Sequence, residues 1–168
     1  MGRPAIWRGC PTACAARTLS ETRSSLPGYH EWAAASSRAR ETGSLRADLL
    51  SLLRPWVRLL GRRPYGRVIA ALITEAHTDP TFAEQYRERF VEPRRDQARP
   101  ILARAMERGE LPATTNVELA LDLLYGPLYH RLLHGHAPLS ERFLRDLVDT
   151  VLAGLTAADE RPGPASPT

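Results

Sequence analysis

The chain has 168 residues, and its 23 basic residues are all arginine; against 19 acidic ones the net charge is +4. With no lysine, Schiff-base catalysis by a side chain, a pyridoxal-phosphate anchor and a phosphate-binding P-loop are excluded. The length and a hydrophobic content of 43% fit one domain of ordinary size around one core.

Residues 1–43 sustain no hydrophobic period. Ile6, Trp7, Leu19, Leu26, Tyr29 and Trp32 are scattered among Pro4, Pro11, Pro27 and small polar residues. An irregular or disordered segment is expected here. Cys10 and Cys14 fall within it as C-x-x-x-C without a second pair, which is poor zinc spacing and reads as two incidental thiols. No apolar run follows Arg3 and Arg8 as a secretory signal requires, and Ile6 stands where myristoylation would need Ser or Thr. The longest apolar run, Val68 to Ile73, is far too short to span a bilayer. A cytoplasmic protein without a membrane partner is expected.

From residue 44 to 155 the pattern is helical. Leu45, Leu49, Leu52, Leu53, Trp56 and Leu60 recur at three- and four-residue spacing, predicting a first helix over 44–60 with Ser44 as N-cap and Gly61 as stop. Pro55 should kink or split it. A second helix, about 63–77, carries Tyr65, Val68, Ile69, Leu72, Ile73 and Ala76. Asp79-Pro80 opens a long third helix through Phe82, Tyr86, Phe90, Ala98, Ile101, Leu102 and Ala105, bent at Pro93 and Pro100 and ended by Gly109. Thr115-x-x-Glu118 matches a capping box for a fourth helix running to Gly135, with a kink at Pro127. In the fifth, Leu139 before Ser140 can staple against Leu144. Residues 156–168 hold three prolines and read as a disordered tail. No strand-like alternation interrupts this order, so the class is all-α with five helices.

The last two helices have unusually broad apolar faces. Phe143, Leu144, Leu147, Val148, Val151, Leu152 and Leu155 cover about half the circumference of the fifth at ~100° per residue. This suggests a second buried surface: a twofold partner packing Leu128, Leu132, Phe143, Leu147, Val151 and Leu155 into an intermolecular four-helix bundle. The alternative is that both helices are simply central in a monomer.

Little points to catalysis or metal. His130 and His134 lie at i, i+4 and could share an ion, but Arg131 stands where a zinc protease has its general base, and surface histidines near a helix C-terminus are the simpler reading. No nucleophile elbow or G-x-G-x-x-G occurs, and no enzyme activity, metal or cofactor is expected. Arg62-Arg63 and Arg94-Arg95 are basic pairs, but acids are interleaved closely, so no single-signed nucleic-acid face forms and specific nucleic-acid binding is not expected. The acids and arginines of 84–96 read as solvated pairs along one helix. Aromatic residues suggest another role: helices bent at proline leave gaps, and Trp56, Tyr65, Tyr86, Phe90 and Tyr125 with His77 could line one, Tyr86, Tyr125 and His77 supplying polar handles. A packed aromatic core with its hydroxyls at the surface is the competing reading.

Several stretches resemble the C-terminal domain of TetR/AcrR-type transcriptional regulators. They are Ser44-Leu-Arg-Ala-Asp-Leu-Leu50, Thr78-Asp-Pro80 with the Phe82 to Phe90 stretch and Pro93-Arg94-Arg95, Arg108-Gly-Glu-Leu-Pro112, Leu124-Tyr-Gly-Pro-Leu-Tyr-His-Arg-Leu-Leu133, and the closing Phe143 to Leu155 helix. The resemblance covers roughly 44–155. It implies an effector pocket among the first helices of the domain and a homodimer through the last two. It also implies a preceding helix-turn-helix unit of about fifty residues, whose apolar pattern residues 1–43 lack. Their proline, cysteine, serine and arginine fit an altered reading frame or a misassigned start.

Overall fold

The computed structural model describes residues 41–157. The thiols Cys10 and Cys14, nearly all of the 1–43 segment and nearly all of the 156–168 tail lie outside the described residues. The helices are α1 (Leu45–Leu60), α2 (Arg63–Ala76), α3 (Pro80–Tyr86), α4 (Glu92–Glu107), α5 (Val117–His134) and α6 (Glu141–Ala157). A π-helical turn, Arg87–Val91, joins α3 to α4 without a break, so the two form the long third helix expected from the sequence. Five helical rods result, and the described residues contain no strand.

α1 is the central rod. Its six predicted apolar positions are all buried, and it packs against α2, α4 and α6. α5 runs beside α4 and α6 and touches α2. Leu49, Ile101, Leu102, Leu121, Leu128, Leu144 and Val148 are fully enclosed where these rods meet. Each such side chain contributes about 1.5–3 kcal/mol relative to exposure.

Helix ends follow local chemistry more closely than the sequence patterns alone suggested. Asp79 caps α3, its carboxylate accepting from the Thr81 and Phe82 N–H groups at 2.9 and 3.1 Å. Gly109 adopts φ +73° and closes α4 with the Glu110 N–H on the Ala105 carbonyl and its own N–H on that of Met106, the paired bonds of a Schellman motif. Ser140 opens α6 by accepting from the Phe143 N–H at 3.1 Å.

Two caps differ from expectation. Ser44 is the N-cap of α1, but its side chain makes no capping bond. The Glu110 carboxylate instead reaches back from beyond α4 to the Leu45 N–H at 2.7 Å. The capping box at Thr115 does not form: Asn116 caps α5 by accepting from the Leu119 N–H at 3.1 Å, and the Thr115 hydroxyl donates to the Pro112 carbonyl. One residue nearer the helix, Asn116 wins the position with a better capping side chain.

The prolines also differ in effect. α1 and α5 run unbroken through Pro55 and Pro127, and α4 through Pro100. Pro93 is the exception, because the π turn lies immediately before it, with the Glu92 N–H bonded to the Arg87 carbonyl five residues back. A proline ring crowds the carbonyl four residues earlier and offers no N–H. Widening the preceding turn relieves both problems.

Candidate functional site

Arg94 occupies a place in the buried stripe of α4 that it shares with Ala98, Ile101, Leu102 and Ala105. Only 3% of it is exposed. Its guanidinium carbon lies 3.9 Å from the centre of the Trp56 ring and 5.8 Å from that of Phe90, and it donates to the Phe90 carbonyl. A desolvated guanidinium over tryptophan is worth about 2 kcal/mol or more, which helps offset the cost of burying its charge.

Around this arginine the aromatic residues form two layers. Tyr86 stacks on Phe90 with centroids 5.5 Å apart, and Tyr129 meets Trp56 edge-on at 6.5 Å. The Tyr125 hydroxyl donates to the Arg94 carbonyl at 3.2 Å. Burial pushes the Tyr86, Tyr125 and Tyr129 hydroxyls up, while Arg94 pulls each of them down. All three stay neutral at physiological pH.

A cavity of about 340 Å³ opens beside this cluster. Val91, Arg94 and Arg95 line it from the π turn and α4, and Asp122, Tyr125, Gly126 and Tyr129 from α5. At its edge Arg95 bonds Asp122 at 2.6 Å and Glu118 at 2.5 Å, and Arg99 bonds Glu118 at 2.8 Å. Hydrogen bonds from Arg99, then Arg95, hold the Glu118 carboxyl down at about 2. This network ties α4 to α5. Of the charges at 84–96, expected to pair along one helix, Arg95 instead reaches across to α5, while Arg99 bonds Asp96 and Glu92 along its own helix as well as Glu118 on the next.

A larger depression of about 620 Å³ lies where the α1–α2 and α5–α6 loops meet. Glycine, alanine and leucine dominate its walls, and no tyrosine, tryptophan or phenylalanine lines it. The smaller cavity has the convergent aromatic and charged groups that distinguish ligand sites.

Of the six proposed pocket residues, Tyr125 lines the cavity. Trp56 and Phe90 back it through Arg94, and Tyr86 lies behind Phe90. Tyr65 and His77 are not in its lining. Tyr65 is half-buried on α2, and His77 is exposed at the end of that helix with Nδ1 2.8 Å from the Ile73 carbonyl. Val91, Arg94, Arg95, Asp122, Gly126 and Tyr129 were not among the six. The signal for Arg94 was legible: it falls four residues after Phe90 and four before Ala98, a charge inside an apolar stripe.

The proposed interface residues also need redrawing. Leu128 is fully enclosed within the monomer, and Leu147 and Val151 are buried against the same core. Leu132, Phe143 and Leu155 are half-buried. Among the described residues the large apolar side chains left exposed are Leu119, Leu123 and Leu133 of α5, at 52%, 44% and 46%.

The rings of His130, His134 and His136 gather at the end of α5, with His130 4.5 Å from His134 and 5.0 Å from His136. Among the described residues no three His, Cys, Asp or Glu side chains are placed to hold a metal ion. No helix among them is long and apolar enough to cross a membrane.

Comparison with known proteins gives consistent results. Residues 39–151 match the family described as tetracyclin repressor-like, C-terminal domain. The chain is 37% identical over 117 residues to the uncharacterized HTH-type transcriptional regulator YdeS of Bacillus subtilis (strain 168), covering 70% of this chain and 59% of that one. It is 31% identical over 111 residues to the uncharacterized HTH-type transcriptional regulator Rv1556 of Mycobacterium tuberculosis (strain ATCC 25618 / H37Rv), covering 66% and 54%. The chain thus spans a little over half the length of these curated relatives. The crystal structure of TetR family transcription regulator SCO0332 superposes with a TM-score of 0.69 at 32% identity, covering 89% of this chain and 82% of that one.

Proposed function

Since the chain belongs to the tetracycline-repressor-like family of transcriptional regulators, we propose that it serves as the effector-sensing and dimer-forming part of a ligand-responsive regulator in the cytoplasm. The observation that carries the sensing half is the cavity between α4 and α5, with its aromatic walls and buried arginine. A ligand there would touch two helices at once. Any change it makes in their separation passes to α6, which packs on both α5 and α1. Ligand binding would bias the dimer between two arrangements, and affinity for an operator would change through that coupling. Operator reading by a dimer needs both half-sites engaged.

The pairing half rests on the outward strip of α5. Leu119, Leu123 and Leu133, with His130 among them, lie within a narrow arc of that helix, and Gly126 stands where this arc borders the cavity. This strip, continued by the half-buried Leu152 and Leu155 of α6, is the proposed dimer surface in place of Leu128, Leu147 and Val151. Light scattering after size exclusion tests it. The native chain should run as a dimer, and the double variant Leu119→Glu, Leu123→Glu as a folded monomer. A dimer that survives both charges would refute the placement. For sensing, a thermal-shift screen of small molecules should yield hits that the cavity-filling variant Gly126→Leu, still dimeric by light scattering, no longer shows. Hits indifferent to that variant would place sensing elsewhere. A helical module unrelated to transcription has no observation in its favour.

A further inference from the structure

Resting on the reading of the α4–α5 cavity as the effector site, we propose that its effector is a small planar organic anion, an aromatic carboxylate in chemical class, held with its charge toward Arg94 and its ring against Tyr125 and Tyr129. Size is the first argument. A volume of about 340 Å³ is near the lower end of the range of about 300–1,000 Å³ for ligand sites, which suits one or two rings and not a long chain or a large polycycle.

Shape is the second. Tyr125 and Tyr129 stand one helical turn apart on α5 and both line the cavity, with Val91 opposite. Flat ring faces and an aliphatic wall favour a flat ligand. Gly126, between the two tyrosines, adds no side chain, and a Cβ built there meets nothing within 4 Å. The open space beside it is where the ring would sit.

Charge is the third. Two guanidiniums and one carboxylate line the cavity, so the charged lining sums to a net positive charge. Asp122 is engaged by Arg95 at 2.6 Å, at the edge. Arg94 stands deeper, and its buried charge acts through a low-dielectric wall in which fields fall off slowly. A cation would be repelled by Arg94, Arg95 being matched by Asp122 and Glu118. A neutral molecule would gain only the ring contacts. A carboxylate gains charge-assisted hydrogen bonds, for which the planar guanidinium fork is suited.

The test uses three molecules of nearly one shape and different charge: benzoate, benzamide and benzamidine. Each is titrated at millimolar concentration into the full chain, with binding read by calorimetry and by the amide resonance of Gly126. Benzoate should bind about tenfold more tightly than benzamide, and benzamidine should bind most weakly. Gly126→Leu should abolish benzoate binding. Arg94→Met should erase the preference for benzoate over benzamide; circular dichroism shows whether that variant folds, and the series on the native chain decides the question if it does not. Should benzamide or benzamidine equal benzoate, with Gly126→Leu abolishing their binding, the anionic class is overturned and the cavity reading stands. Benzoate binding untouched by Gly126→Leu overturns the cavity reading and this proposal with it. Silence from all three ligands overturns the assignment to small aromatic anions.

Discussion

Gly66 and Gly126 are both glycines inside helices, yet replacing each by alanine should have unequal effects on stability. In a helix interior alanine is favoured over glycine by about 0.5–1 kcal/mol, because the backbone has less freedom to lose. At Gly126 nothing beyond its chain neighbours lies within 4 Å of an added Cβ. The next residue is Pro127, whose ring crowds a Cβ on the residue before it in helical geometry, so the propensity gain of about 0.5–1 kcal/mol is offset and Gly126→Ala should change stability little. At Gly66 the same atom would fall 2.5 Å from the Leu60 carbonyl oxygen and 3.0 Å from Cδ1 of Leu132. Leu132 can rotate, but the Leu60 oxygen is backbone at the end of α1 and can retreat only by moving the helix. Overpacking of this kind costs about 1–3 kcal/mol, which exceeds the gain from propensity. Gly66→Ala should therefore lose about 1–2 kcal/mol, a fall in Tm of roughly 4–8 °C for a domain of this size. Urea unfolding and calorimetry of both variants measure the difference. If Gly66→Ala were as harmless as Gly126→Ala, the close passage of α2 over the end of α1 and against α5 would be wrong.

Acid should loosen the α4–α5 edge. The folded-state Glu118 carboxyl is held at about 2, below its ordinary 4.5, so its contribution is complete above pH 4.5 and is lost as pH falls toward 2. Glu118→Gln should flatten that part of the Tm–pH curve, and an unchanged curve would show that the Arg95 and Arg99 bonds do not hold in solution. Glu110→Ala removes the carboxylate that caps α1 through Leu45; it should cost about 1 kcal/mol in urea unfolding, and no loss would return the capping role to Ser44. Leu147→Glu with Val151→Glu should unfold the chain, since both side chains are buried in the monomer, whereas the Leu119, Leu123 double variant separates copies that remain folded. A well-folded monomer from the Leu147, Val151 variant would restore the original placement of the interface.

Helix positions were legible because apolar spacing along this chain is clean. Leu45 to Leu60 and Phe143 to Leu155 repeat at three and four residues, and each helix lies within a residue or two of where that spacing put it. The width of an apolar face was a weaker guide. Breadth said that α5 and α6 touch more than one neighbour, but could not say which edge the monomer itself covers. Leu128 faces inward and Leu119 outward because of where α4 and α6 lie, which is tertiary information. The cavity was half legible for a related reason. Aromatic residues were sought as its lining, while Trp56, Tyr86 and Phe90 were taken up behind Arg94, the residue that a search by ring type passes over. Pro55, Pro100 and Pro127, read as sites of kinks or bends, stand inside continuous helices, and Pro93 follows a wider turn.

That wider turn sets the angular phase between the two halves of the long rod. An α-helix advances ~100° per residue, so holding five residues in a loop sized for one more than usual displaces everything after Val91 around the axis relative to everything before Arg87. The hydrophobic residues of α3 and the arginines of α4 are thereby indexed to different partners, Phe82 inward to the core and Arg95 outward to α5. Straightening 87–91 to ordinary α geometry without removing a residue would preserve every side chain and still turn the α4 side of the cavity away from α5. The site depends on the width of one turn as much as on any side chain.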